Sequence, residues 1–162
     1  MSNFPKLIPA FTVQVAIAAP VSIGPALTFV PFATGGSIVS EPSYPVKLDA
    51  EIEHGADYIK LDPNGRHVRL DVDSAARDRT TGARLRFRYT GKVATTGAAG
   101  RLLRGEAVGT TDFGEAFSVV EFEVEGKELA VLEEKVFVGS GHFVVEPGKP
   151  TIVEYKVSEV SA

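Results

Sequence analysis

Four side chains in this chain have the type and placement to move a proton near neutral pH: Asp57, Asp71, Tyr89 and Glu134. A carboxyl held among apolar neighbours disfavours its charged form, so its pKa climbs toward neutrality and it can act as an acid or a base. Asp57 shares the alternation phase of Ile59 and Leu61, and Glu134 that of Leu132, Val136 and Val138, so each sits where an apolar face is expected. Asp71 lies in a similar alternating run, although a neighbouring arginine such as Arg69 would act the other way and favour the carboxylate. Tyr89 follows Leu85 and Phe87 at period two, and a buried phenol needs a hydrogen-bond partner, which a ligand carbonyl could supply. Phe32, Tyr58, Phe87, Phe122 and Phe137 offer aromatic ligand-binding walls, with Arg69 as a charged contact. Each residue also has a plainer reading: the acids at strand ends, at a rim or bonded to turn amides, and the aromatics as core.

Other chemistries find less support. His54, His67 and His142 are far apart, and none has the His-x-His or His-Glu-x-x-His spacing that gathers ligands on one metal, so no metal site is expected. His142 follows Gly139-Ser140-Gly141 at what reads as a glycine-rich strand end, where an exposed turn histidine or a rim base would fit. Ser140 lacks the Gly-x-Ser-x-Gly elbow, and the glycines at 97, 100 and 105 lack the Lys-Ser/Thr ending of a phosphate cradle, so no nucleotide cofactor is expected. Arg84, Arg86 and Arg88 share one face opposite Leu85, Phe87 and Tyr89, as a basic stripe or as an outer face stitched by cross-strand acids. With 17 basic and 21 acidic residues there is no basic field to gather nucleic acid, and the absence of cysteine fits a reducing, cytoplasmic setting.

These side chains must be positioned by strands. From Gly55 to Gly91 three alternating runs are separated by an Asp-Pro-Asn-Gly turn (Asp62 to Gly65) and a Thr-Thr-Gly turn (Thr80 to Gly82), the pattern of an antiparallel meander with one buried face. The apolar stretch from Leu7 to Phe32 raises a membrane span or a cleaved leader, but Pro9, Pro20, Pro25 and Pro31 break a helix, and Phe11, Val13, Val15 and Ile17 alternate as a first strand. Further strands are expected over Leu27 to Phe32, Ser37 to Val39, Phe117 to Glu125, Leu129 to Gly139 and Thr151 to Glu159. Thr95 to Gly100 reads as a flexible loop, and Leu102 to Val108 as a strand or one or two helical turns. The 162 residues make one domain, an all-β chain of about eight to ten strands. Because open edges aggregate, a single closed antiparallel barrel with little helix is the expected architecture.

Several segments together resemble a known family. Leu7-Ile8-Pro9-Ala10-Phe11, the Gly35-Gly36 pair, Gly55-Ala56-Asp57-Tyr58, Val68-Arg69-Leu70-Asp71-Val72, Thr81-Gly82-Ala83, Phe122-Glu123, Leu132 and Val136-Phe137-Val138-Gly139-Ser140-Gly141 occur in the order and spacing of domain-of-unknown-function family 3237, also called UPF0311. The resemblance covers about Leu7 to Val160 and implies a calycin-like barrel with a cavity, commonly oligomeric, without an established general activity. The chain departs from the family pattern at Leu129, Val131 and Glu133, where an aromatic, a tryptophan and an asparagine are usual, and at Val119-Val120, which replace a proline. Substrate choice therefore does not carry over from relatives.

Two functions follow as expectations. One is a cofactor-independent cyclase, isomerase or lyase acting on a small apolar molecule of secondary metabolism, by orientation and acid/base assistance. The other is a noncatalytic carrier of a small ligand. A homodimer is the expected assembly, with no nucleic-acid or membrane partner.

Overall fold

The computed structural model describes residues 2–162. Its strands are β1 (Lys6–Ala16), β2 (Val21–Ser22), β3 (Leu27–Pro31), β4 (Gly36–Ser40), β5 (Asp49–Leu61), β6 (His67–Asp78), β7 (Arg84–Ala94), β8 (Ala116–Val124), β9 (Phe137–Val144) and β10 (Ile152–Ser161). Eight of them close a circuit of antiparallel neighbours in the order β1–β10–β9–β8–β7–β6–β5–β4 and back to β1. The expected closed barrel is therefore the fold. β2 and β3 form an extra hairpin, which continues the sheet along Ala56–Lys60 of β5, beyond the stretch that β4 covers.

Alternation explains the closure. In β6 Val68, Leu70, Val72, Ser74 and Ala76 are buried, while Arg69, Asp71, Asp73, Ala75 and Arg77 face water. β7 repeats the pattern with Leu85, Phe87, Tyr89 and Val93 inside. A period of two puts each strand's apolar set on one side, and curling the sheet buries that side and removes its edges. The meander's two turns are made as the sequence predicts: Gly65 (φ 70°) and Gly82 (φ 77°) occupy the left-handed region that side chains avoid.

One end of the barrel is plugged. Phe11, Phe87, Phe122 and Phe137 form an aromatic cluster with ring centroids 5.3–5.6 Å apart, and Tyr44 packs edge-on against Phe11. Leu129 and Leu132 cap the same cluster, which corrects the reading of Leu129 to Gly139 as one strand: Ala130–Glu134 is a turn of 3-10 helix and β9 begins at Phe137. Leucines three apart suit a helix of three residues per turn, because both then point into the plug. The segment read as a flexible loop from Thr95 also differs, since a short helix α1 (Ala98–Leu103) starts within it. Glu115 Oε2 accepts the Ala99 N–H, and at Gly100 a Cβ would lie 2.3 Å from the Thr95 carbonyl oxygen, so only glycine permits that approach.

Candidate functional site: a barrel mouth above a buried acid

The end opposite the plug is open. A cavity of about 790 Å³ lies there, between the β2–β3 hairpin on one side and α1 with the residues after it on the other. Pro20, Pro25 and Ala26 of the hairpin face Leu102 and Leu103 across it, and Val30, Ile59 and Val68 form its floor. Polar groups are confined to a few positions, among them Thr28, Thr95, Arg104 and Glu106. Arg104 is anchored by a 2.8 Å bond from Nη1 to the Thr95 carbonyl. This volume and apolar wall match a site for a small organic molecule.

Asp57 lies one side-chain layer beneath the floor. It is opposite Val30 on β3 and two residues before Ile59 on β5, and both neighbours line the cavity. Only 8% of Asp57 is exposed. The β5–β6 pairing passes from Asp57 opposite Val72 to Lys60 opposite Arg69, and in the gap Asp57 Oδ1 accepts the Asp71 backbone N–H at 2.9 Å. Burial pushes the carboxyl up to about 7; the Asp71 N–H bond opposes this and the nearby Asp71 charge adds to it. Around it stand two inward phenols, Tyr89 and Tyr155, with ring centroids 5.0 Å apart. Burial raises the Tyr89 hydroxyl well above its ordinary 10, with Tyr155 and Asp57 adding to the effect; burial first, and then Asp57, raise Tyr155 likewise. Both therefore remain phenols at neutral pH. The Tyr89 and Tyr155 hydroxyls lie within hydrogen-bonding reach of each other, and the Ser118 hydroxyl is buried without a partner among the described residues.

The other residues singled out in the sequence are dispersed. Asp71 faces outward and serves Asp57 through its backbone rather than its carboxylate. Arg69 is also outside, paired with Asp62 through Nε–Oδ1 at 2.7 Å, a bond that lowers the Asp62 pKa. Tyr58 is exposed and tilts against Phe29, with centroids 5.1 Å apart. Glu134 is exposed at the end of the 3-10 turn, not on a strand face with Val136 and Val138, because β9 starts after it. Phe87, Phe122 and Phe137 fill the plug, away from the mouth cavity, and Phe32 packs over Gly55, where a Cβ would lie 2.7 Å from its ring. The arginine stripe is stitched by acids: Arg86 bonds Asp73 at 2.6 Å and Glu123 at 2.9 Å.

His142 does not end its strand. It lies within β9, with Nδ1 2.9 Å from the Thr111 carbonyl, Nε2 3.0 Å from Glu154 Oε1 and Phe113 stacked on its ring. Nδ1 and the Phe113 stack thus tie the Thr110–Glu115 loop to β9, while Nε2 ties the ring to β10. Among the described residues no group of three or more His, Cys, Asp or Glu side chains is arranged to hold a metal ion. Tyr155 and Ser118 were not among the expected site residues, yet both carried a signal: Val153-Tyr155-Val157 and Ala116-Ser118-Val120 each place the polar residue in an inward phase.

Comparison with known proteins agrees with this architecture. A crystal structure of the conserved protein of unknown function RPA1785 from Rhodopseudomonas palustris superposes with a TM-score of 0.75 at 22% identity, covering 99% of each chain. A protein with unknown function from Clostridium acetobutylicum ATCC 824 gives 0.73 at 15% identity over 98% of this chain and 100% of its own. A beta-barrel like protein from Acinetobacter baumannii AYE, ABAYE2633, gives 0.70 at 18% identity over 99% of each. No curated protein matches the chain. The family model for proteins of unknown function DUF3237 matches residues 5–160, and the chain belongs to that family.

Proposed function

We propose that the barrel mouth binds a small, largely apolar molecule and that Asp57 assists one proton transfer in it, as a cofactor-independent isomerase, cyclase or lyase of secondary metabolism would. The observation that carries this reading is an apolar cavity of about 790 Å³ set one side-chain layer above a buried carboxyl whose pKa stands at about 7. A group titrating near the working pH can both release and accept a proton, and a desolvated pocket orients a substrate without a nucleophile. The absence of cysteine supports cytoplasmic residence of such an enzyme. A carrier is the second reading, favoured by the bond that commits Asp57 Oδ1 to the Asp71 amide, a structural task in itself.

The test uses binding and turnover together. Naphthalene titration should show saturable binding that Leu103→Trp, which fills the cavity, weakens at least tenfold. A panel of linear and cyclic apolar precursors in D₂O, followed by NMR, should show rearrangement or deuterium incorporation. Asp57→Asn should slow this by roughly 10²-fold while naphthalene affinity holds. A variant as active as the wild type would remove Asp57 from the reaction, no turnover by the wild type would leave the carrier, and no naphthalene binding would refute the site.

A further inference from the structure

We infer that the outer wall of the barrel carries a second binding site, a groove that takes an apolar molecule ending in one anionic group, as a fatty acid does. It is separate from the mouth cavity and independent of the role given to Asp57.

A groove of about 900 Å³ lies over the outer faces of β5 to β10, bordered also by Leu7 of β1 and Leu27 of β3. Its shape follows from the small residues beneath it. Gly91, Ser118 and Gly139 are cross-strand neighbours in the inward phase of β7, β8 and β9, and all three contribute to its floor. A Cβ at Gly91 would lie 2.5 Å from the Phe117 carbonyl oxygen, and one at Gly139 would lie 2.5 Å from Ser118 Oγ. With no bulky side chain to hold it off, the wall draws in along this row and leaves a hollow outside.

The charges around the hollow are unlike those on the rest of the wall. Lys60, Arg69 and Lys92 are direct neighbours across β5, β6 and β7, where opposed side chains stand about 5 Å apart and like charges repel. Farther along the same face the bases meet acids, as Arg86 does with Asp73 and Glu123. Asp62 bonds Arg69 from beside the groove, but among the described residues neither Lys60 nor Lys92 makes an ion pair. Lys156 adds a fourth base, and Asp71 is the one acid in the lining. Next to the bases the face turns apolar. Phe117 is opposite Lys92, Val119 is opposite Thr90 and Val138, and Phe117 and Val119 are 56% and 50% exposed. An exposed apolar patch of this kind marks a binding surface.

One occupant answers both features. A carboxylate above Lys60 and Lys92 offsets their repulsion, while the chain behind it covers Phe117, Val119 and Val138. A second copy of the protein does not fit, because a two-fold contact presents the same patch from both sides and would set these bases against their own images. The volume suits a single small molecule.

The experiment is an NMR titration of ¹⁵N-labelled wild-type protein with decanoate and with 1-decanol, which has the same chain without the charge. Decanoate should move the amide signals of Arg69, Lys92 and Phe117 and leave those of Leu102 and Leu103 at the mouth in place. Decanol should need roughly tenfold higher concentration for the same shifts. Added salt should narrow that difference by screening the lysines. The double variant Lys60→Glu, Lys92→Glu should lose the preference for decanoate while keeping its naphthalene affinity. Equal response to the two probes, no shift at the groove signals, shifts confined to Leu102 and Leu103, or a preference that survives the double substitution would each overturn the inference. Loss of naphthalene binding in the wild type would count against the mouth cavity and leave the groove standing. Both lysines are exposed, and the wild-type comparison decides the matter without any variant.

Discussion

Asp57 is where burial and chemistry meet. Its carboxyl goes from an ordinary value of 3.8 to about 7 in the folded chain, because the interior penalises the charge more than the Asp71 amide rewards it. A carboxyl raised on folding contributes fully below its unfolded pKa, and the contribution disappears as pH rises through the folded value. Stability should therefore fall between about pH 4 and pH 7, by roughly 4 kcal/mol at most for a shift of this size. Asparagine keeps an oxygen for the Asp71 N–H but cannot ionise. Thermal unfolding of Asp57→Asn should match the wild type at pH 3 and exceed it at pH 8. Parallel pH profiles for the two proteins would contradict the assignment.

At the scale of elements, the hairpin between β6 and β7 depends on one buried acid. Asp78 is 2% exposed; its Oδ2 accepts the Thr81 hydroxyl at 2.7 Å and the Thr81 N–H at 3.2 Å, and its Oδ1 accepts the Asp49 N–H at 3.2 Å. One side chain thereby ties the Thr80–Gly82 turn to the start of β5. Burial works to raise its pKa, yet the bonds from Thr81 and Asp49 outweigh it and hold the carboxyl below 3.8. Asp78→Ala would leave buried donors unpaired and should cost about 2–3 kcal/mol in urea unfolding at pH 7. Because the folded pKa is depressed, the ionised wild-type advantage is lost as pH falls below about 4, so the gap between the two proteins should narrow there. An undiminished gap at pH 3 would mean that ionisation plays no part in the tie.

The whole molecule divides its labour between two ends. The Phe11–Phe87–Phe122–Phe137 plug makes one end solid, and the hairpin and α1 shape a cavity at the other, with Asp57, Tyr89 and Tyr155 between. Phe122→Ala, deep in the plug, should cost about 3–5 kcal/mol by cavity formation. Naphthalene affinity, read below the variant's melting range, should nevertheless stay within twofold of the wild type. A large loss of affinity in the folded variant would show that the plug shapes the mouth as well. No helix among the described residues is long and apolar enough to cross a membrane.

What the sequence determined by itself was the barrel. Alternation from Val68 to Asp78 and from Arg84 to Val93 is a local property that survives any arrangement of neighbours, and glycines at 65 and 82 fix the turns between strands. The same alternation put Asp57 and Tyr89 inside and the arginine stripe outside. Where alternation breaks, at Leu129 to Glu134 and Thr95 to Gly100, the chain's conformation was decided by what it had to cap or pack against, which is long-range information. Closure of the circuit alone could bring Tyr155 of β10 beside Tyr89 of β7 and place Asp57 within their electrostatic reach, because those strands become neighbours in depth rather than in sequence. Which inward residues meet in the lumen depends on how the strands are staggered around the barrel, and that stagger is a property of all eight strands together.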